Sequence, residues 1–564
     1  MSGIELSPAW TLILGAALAP LLPGRARAAW VVLIPLAGLL QLWLLPHGEH
    51  GRLAFLGHEL VLARVDRWSV LFVLIFLIAA LLSAIYALHV RDALQPAAGL
   101  AYAGSAIGAV LAGDLLTLFV FWELTAITSV FLIWARGTRR AYRAGMRYIV
   151  IQLLSGMLLL FGAAQQVSAT GSLRFEHLGL DAPGGLLIFL AFGIKCAFPL
   201  LHNWLQDAYP EATESGTVFL SAFTTKLAVY ALARGYAGTE ALIWIGATMT
   251  AFPIFYAVIE NDLRRVLAYS LNNQLGFMVV GIGIGTELAL NGTAAHAFSH
   301  ILYKALLFMS MGAVLHRVGT VNGSELGGLY KSMPWTTGFC IVGAASISAF
   351  PLFSGFISKS MILSAAAEEG LLLTFLVLLF ASAGVFHHSG IKIPYFAFFA
   401  HDSGKRCAEA PMNMLVAMAV TAALCVGIGV YPDPLYAMLP FAVDYVPYTG
   451  SHVLSQLQLL VFSALAFSVL MRTGIYPPEM RLVNLDSDWL YRRAAPSLLG
   501  LAMRGIDALG EGLRTLARAA AARIALALQR HHGIEGVLAR TWTTGGVALW
   551  VAILLAAYLV LYYA

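Results

Sequence analysis

Long apolar runs separated by short polar loops recur along almost the whole chain, and that one feature decides what it can fold into. A bilayer crossing needs roughly 20 mostly apolar residues. In lipid the backbone has to satisfy its own amides and carbonyls, so a chain patterned this way spans as helices. The runs fall at 6–23, 28–46, 67–91, 96–113, 114–135, 145–167, 184–208, 214–235, 239–258, 265–285, 290–316, 335–356, 360–388, 412–431, 453–471 and 543–563. The expected fold is therefore all-α and polytopic, with about 14–16 transmembrane helices. Composition agrees: 60% of residues are hydrophobic, 11% charged, and the mean hydropathy is +0.81, outside the range of soluble globular proteins. The first run lacks the basic flank of a secretory signal, and the Ala-Arg-Ala around Arg27 leads straight into another run, so 6–23 reads as a retained helix.

The net charge of +5 matters less than its placement, and no nucleic-acid partner is expected. Arg25 and Arg27, Arg91, Arg136 to Arg147, Arg264 and Arg265, Arg317 with Lys331, Lys405 with Arg406, and Arg472 all follow odd-numbered runs. The positive-inside rule makes those loops cytoplasmic and puts both termini outside.

Two runs carry the same Phe-Pro-Leu, in "KCAFPLLHNWL" at 195–205 and "ISAFPLFSGFISKS" at 347–360. Pro199 and Pro351 each remove an amide donor and clash with the carbonyl one turn back. Paired interruptions in corresponding halves of a membrane bundle point to a transport site, although two ordinary kinks have the same spacing. The stretch 485–542 has no run that could cross. Arg504, Asp507, Glu511, Arg514 and Arg518 recur there every three to four residues, with Leu509, Leu513, Leu516 and Ile524 on other faces. That is an amphipathic helix expected at the cytoplasmic surface.

Ionisable residues inside the runs cost roughly 2.5–3.5 kcal/mol each on insertion scales, and they persist where they face the bundle interior and pair or meet water. Glu123 lies in "LLTLFVFWELTAITSVFLIW", Lys195 just before the break at Pro199, and Lys226 in "FLSAFTTKLAVYALA". His296, His300 and Lys304 are spaced i, i+4, i+8, which stacks them on one helix face. Histidine exchanges protons near neutral pH, so the column has relay geometry; a metal would need a third ligand that the spacing does not supply. Lys359 follows the second break and is read as the last buried base before a loop at 392–411. Glu260, Asp262, His387 and His388 are read as solvated helix ends. Snorkelling or packing could hold one such base, but seven positions exceed what an inert scaffold needs. Cys196, Cys340, Cys407 and Cys425 have no ligand or disulfide spacing. "GIGIG" at 281–285 is not a nucleotide loop, and no cofactor motif is visible.

The segments "FWELTAITS", "KCAFPLLHNWLQDAYPEAT", "FLSAFTTKLAVYALAR", "DLRRVLAYSLNNQLGFMV", "HAFSHILYKALLFMSMGAVLH" and "GGLYKSMPW" together resemble the antiporter-like subunit family over roughly 100–400. That family comprises proton-channel subunits of respiratory complex I, their relatives in membrane-bound hydrogenases, and large subunits of Mrp-type sodium/proton antiporters. The resemblance implies two inverted five-helix repeats with discontinuous helices. It implies that Glu123 modulates Lys195 through a charge pair, and that protons pass by Lys226 and the His296–His300 column to Lys304 and Lys359. Where many members read Pro-Thr-Pro-Val after the first break, this chain has Glu214-Ser215-Gly216-Thr217. "DAYPEAT" and "LSAFTTKLAVYALAR" look like the D-type Mrp subunit, while the amphipathic stretch and final run are similar to the distal complex I subunit.

The organisation expected is N-terminal helices over 1–95, a first repeat over 96–235, a second over 236–400, further helices over 401–484, the amphipathic stretch 485–542 and a last span at 543–564. The resemblance implies a secondary-transporter subunit without a cofactor, in a bacterial inner membrane. Its expected partners are other membrane subunits of a hetero-oligomer, the lipid bilayer, H+ and Na+. The competing expectations are the pumping arm of an NADH:quinone oxidoreductase or hydrogenase complex, and the membrane subunit of a proton-driven inorganic-carbon uptake system.

Overall fold

The computed structural model describes residues 7–563, which divide into two units, one ending at Asn484 and one starting at Leu485. In the first, helices α1 (Pro8–Leu18) and α2 (Gly24–Leu44) precede a hairpin of β1 (Gly48–Phe55) and β2 (His58–Val65), then α3 (Arg67–Tyr86) and α4 (Leu94–Leu111). The hairpin was not expected from the apolar runs. Leu56 and Gly57 both take positive φ at its tip, 49° and 80°, the left-handed pair that a two-residue turn between twisted strands requires.

Next come α5 (Leu115–Trp134), α6 (Arg139–Thr170), α7 (Gly185–Cys196), α8 (Asn203–Ala208), α9 (Glu214–Ala222) and α10 (Thr224–Gly235). A second series follows: α11 (Ala241–Ile259), α12 (Leu263–Ile284), α13 (Glu287–Val318), α14 (Pro334–Ile347), α15 (Ser354–Glu368) and α16 (Leu372–Val385). The last runs on through π-helical turns at Phe386–Lys392 and Tyr395–Phe399. Helices α17 (Met412–Val430), α18 (Asp433–Ala437) and α19 (Gly450–Thr473) complete the unit.

The two series repeat one backbone plan. Helix α6 covers 139–170 and α13 covers 287–318, a shift of 148. Asp114 caps α5 through the amides of Leu116 and Thr117, and Asp262 caps α12 through those of Arg264 and Arg265. The loops beyond repeat the shift: Leu115 N–H donates to Leu173 O and Phe175 N–H to Gly113 O, as Leu263 N–H does to Val321 O and Gly323 N–H to Asn261 O. Counted from α4 and from α11, each series makes five crossings, an odd number, so the second runs inverted relative to the first.

Twelve of the described helices are long and apolar enough to cross a membrane. The short α1, the more polar α12 and the broken pairs α7/α8 and α14/α15 bring the crossings to sixteen. Ion pairs join loops on the same side. Arg140 and Arg136 after the fifth crossing reach Glu211 after the seventh, at 2.6 and 3.9 Å, and Arg265 after the ninth lies 4.0 Å from it. On the other face Arg174 after the sixth meets Glu49 of the hairpin at 2.6 Å, and Arg234 after the eighth meets Asp66 at 2.8 Å.

Two boundaries differ from the sequence reading. The runs 335–356 and 360–388 are divided differently: α14 ends at Ile347, α15 restarts at Ser354 and extends to Glu368, and α16 is a separate crossing. The proline break, not the hydropathy minimum near 357–360, ends the first half, and Lys359 falls within α15. The helix after α16 also continues to Phe399, so 392–399 is not loop.

The second unit contains a π-helical turn at Leu490–Ala494, the 38-residue helix α20 (Ala495–His532) and the apolar helix α21 (Thr544–Tyr563). At 1.5 Å per residue α20 is about 57 Å long, and none of its side chains is buried. Its charged and apolar residues separate onto different faces as the spacing predicts.

Candidate functional site

Both helix breaks are built from the same tetrapeptide, Ala-Phe-Pro-Leu, at 197–200 and 349–352. Ala197 and Ala349 take positive φ of 62° and 56°, and Leu200 and Leu352 of 69° and 75°. The amide of Phe198 returns to Gly193 O and that of Phe350 to Ala345 O, each at 3.0 Å, so both first halves end in a left-handed cap in which alanine replaces the usual glycine. Non-glycine residues held there cost about 1–3 kcal/mol each and cluster at functional sites.

Beside the first break Lys195 is fully buried. Its ammonium donates to Trp122 O at 2.5 Å and to Thr125 Oγ1 at 2.7 Å, and lies 4.6 Å from the Trp122 ring centre. The groups that hold it flank Glu123 on α5. The Glu123 carboxylate is half-buried against α6, and its Oε1 has no hydrogen-bond partner. The structure thus puts Lys195 within electrostatic range of Glu123 while docking it on the neighbouring backbone carbonyl.

Lys226 reaches a carbonyl too. Between α9 and α10 the chain kinks at Phe223, with φ −101° and ψ −69°, which frees Ser221 O to accept from Lys226 Nζ at 2.5 Å. The orphaned amide of Thr224 donates to Tyr102 Oη of α4 at 3.0 Å. No proline marks this kink.

On α13, His296, His300 and Lys304 are all buried. His296 Nδ1 is 3.1 Å from Ser358 Oγ on α15, and its Nε2 is 3.4 Å from Tyr303 Oη, which donates to Gln274 Oε1. Neither nitrogen of His300, nor Lys304 Nζ, has a hydrogen-bond partner. The rings of His296 and His300 are 6.2 Å apart, and His300 lies within electrostatic range of Lys226, Lys304 and Lys359. Lys359 donates to Ile347 O at 3.1 Å, a carbonyl released by the second break, and lies 5.0 Å from the Phe277 ring centre. A cavity of about 200 Å³ opens from Lys359 along α15 to His452, Ser455 and Gln456 at the start of α19.

Four groups read from sequence as edge residues or overlooked belong to this interior. His388 is fully buried, with Nδ1 2.8 Å from Ser389 Oγ, and Glu260 is 4% exposed; neither is a solvated end. Lys392, never singled out, is fully buried and donates to Val258 O at 2.6 Å and Glu260 O at 2.7 Å, the carbonyl end of α11. It pairs with Glu479 at 2.9 Å, whose side chain is 6% exposed. His387 is partly exposed, and Asp262 caps α12.

A family model described as "NADH:quinone oxidoreductase/Mrp antiporter, TM" matches residues 112–386, from the start of α5 to the end of α16. The D-type subunit of a Na(+)/H(+) antiporter from Alkalihalophilus pseudofirmus is 34% identical over 316 residues, 52% of this chain and 64% of that one. An uncharacterized protein of Methanocaldococcus jannaschii is 30% identical over 349 residues, 57% of this chain and 72% of that one. Among solved structures, a chain of a membrane-bound sulfane sulfur reductase, an archaeal respiratory membrane complex, superposes with a TM-score of 0.71 at 23% identity, covering 99% of this chain and 100% of that one. The match spans under two thirds of the antiporter protein, and the low identity of the solved structure carries fold alone. The doubled backbone plan, the paired breaks and these matches converge: the chain is a multi-pass membrane protein of the NADH:quinone oxidoreductase/Mrp antiporter transmembrane family.

Proposed function

We propose that the chain is the proton-translocating subunit of a multisubunit monovalent cation (Na+)/H+ antiporter in a bacterial inner membrane, a secondary-transporter subunit and not itself an enzyme. The observation that carries this reading is a line of buried protonatable groups with few carboxylate partners. It runs from Lys195, beside the half-buried Glu123, through Lys226, His300 and Lys304 to Lys359, with His296 beside it. Lys195, Lys226 and Lys359 dock on backbone carbonyls, two of which a kink or break has released. A carbonyl holds an ammonium without fixing a counter-charge, so the base can lose its proton without stranding a carboxylate. Like charges repel strongly in a low-dielectric interior, so a proton arriving at His300 favours departure from Lys304 or Lys359.

Groups beyond the line point to two ports. The Lys359 cavity extends toward the loops after even-numbered crossings, the outer side by the positive-inside rule. Lys392 and Glu479 lie toward the opposite, basic side. Each step has to compete with a field worth about 2.3 kcal/mol per charge per 100 mV, and a change of two pH-equivalents in proton affinity, about 2.7 kcal/mol, matches it.

Inverted membrane vesicles carrying the intact complex test this reading, with dye-monitored proton movement compared between wild type, Glu123→Ala and Lys195→Ala at matched expression. Sodium-dependent exchange in wild type, lost in both variants, is the expected result. A second reading, the pumping subunit of a redox complex, is favoured by the family model, whose description covers NADH:quinone oxidoreductase as well as the Mrp antiporter. It replaces the first if exchange is absent and proton uptake follows an electron donor. Unchanged transport in both variants refutes the buried line itself.

A further inference from the structure

The loops after the third, seventh and eleventh crossings bring together three residues far from the buried line. They are His89 just beyond α3, Glu214 at the first position of α9, and His316 in the last turn of α13. Their ligand atoms all lie within 4.8 Å of one another. His316 Nδ1 is 3.2 Å from Glu214 Oε1, and His89 Nε2 is 4.0 Å from the same oxygen. Glu214 is also where the sequence departs from Pro-Thr-Pro-Val.

We propose that His89, Glu214 and His316 form a binding site for a divalent transition-metal ion of the zinc type. Metal–ligand bonds of roughly 2.0–2.1 Å in a tetrahedral site put neighbouring ligand atoms about 3.3 Å apart. The His316–Glu214 separation is already there, and His89 Nε2 stands about 0.7 Å beyond it from the same oxygen.

The protonation of His89 supports the assignment. Its Nδ1 is 3.0 Å from Tyr86 O, which can only accept, so Nδ1 carries the proton. Asn413 Nδ2 is near the same nitrogen, but its two protons go to Tyr86 O at 2.7 Å and Ile85 O at 3.1 Å. Nε2 is therefore the nitrogen left to face the cluster, and it is buried with no hydrogen-bond partner. Nε2 faces the Glu214 carboxylate at 4.0 Å, and a second proton or a metal ion supplies the positive charge between them. A backbone carbonyl fixing the far nitrogen is also the usual outer support of a metal-ligating histidine. The side chains are 15%, 28% and 28% exposed, which leaves an entry path from solvent.

A bound ion would tie the ends of α3, α9 and α13 to one another. Binding itself does not depend on what the bundle transports.

The test is titration of the intact purified protein with Zn2+ against a chromophoric chelator. Wild type is expected to take up one tight equivalent, weakened by more than about tenfold in His89→Gln and in His316→Gln. His316→Cys, which keeps a zinc ligand, is expected to retain it, as is His177→Gln in an exposed loop on the other face. Equal affinity in wild type and both glutamine variants overturns the proposal, as does the absence of a tight equivalent in wild type. A variant that no longer elutes as wild type is set aside, and the retained binding of His316→Cys against its loss in His316→Gln then decides.

Discussion

The Glu123 carboxylate occupies the space left by the missing side chain of Gly156: a Cβ built on that glycine would stand 1.3 Å from Glu123 Oε1. The close approach of α5 and α6 at this point positions the acid opposite Lys195. Gly156→Ala is expected to push the carboxylate aside without removing it. An ångström-scale misplacement of a reacting group costs up to about 100-fold in rate. Proton movement in vesicles should therefore fall by about tenfold or more, toward the Glu123→Ala value. Gly427→Ala, in α17 with open space around the new methyl, should transport as wild type.

The left-handed alanines at the two breaks make a stability prediction of opposite sign. Glycine adopts positive φ freely, whereas an L-residue there costs roughly 1–2 kcal/mol. Ala197→Gly and Ala349→Gly should each stabilise the protein by up to about 1 kcal/mol, read as a higher unfolding temperature in detergent. Ala191→Gly, in the interior of α7, should lower it by about the same amount. A uniform loss in all three would show that the breaks are not strained.

What could be read from the sequence follows from what leaves a local mark. Glu123, Lys195, Lys226 and the α13 column interrupt long apolar runs, so their burial is legible. Both Ala-Phe-Pro-Leu breaks announce themselves through proline. The kink at Phe223 does not, because its freed amide is satisfied by Tyr102, 122 residues away. Lys392 lies where an apolar run gives way to polar residues, and the π-helical turns, the carbonyl end of α11 and the returning Glu479 enclose it. The hairpin tip and the His89–Glu214–His316 cluster arise from contacts between loops, and no periodicity encodes them.

The buried Lys392–Glu479 pair predicts a pattern across variants. Removing one partner of a buried ion pair strands the other charge and costs about 3–5 kcal/mol, while replacing both with apolar residues is often near neutral. Lys392→Met and Glu479→Leu should each lower the unfolding temperature markedly, and the double variant should recover much of the loss. Additive losses would mean that the two charges are not coupled.

Outside the spans, Asn322 and Arg481 hold the Glu325 carboxyl below the usual carboxylate range, with Arg481 Nε 2.8 Å from Oε1. A depressed folded-state value contributes stability that is present above the unfolded value near about 4.3. That stability is lost as pH falls through the folded value. Unfolding temperatures measured between pH 6 and pH 3 should fall less steeply in Glu325→Gln than in wild type, and identical slopes would remove Glu325 from the acid response.

Tyr102 holds the kink beside Lys226 from a neighbouring helix. Its hydroxyl lies 2.5 Å from Thr224 Oγ1 while accepting from the Thr224 amide, so Tyr102→Phe leaves a buried N–H at the kink unsatisfied, at a cost of about 1–3 kcal/mol. The cheapest relief is for the kink at Phe223 to close toward regular helix, which would withdraw Ser221 O from Lys226. Tyr102→Phe should therefore lower both the unfolding temperature and proton movement. Tyr142→Phe, exposed at the start of α6, should change neither. Loss of stability with full transport would mean that Lys226 does not need the Ser221 carbonyl.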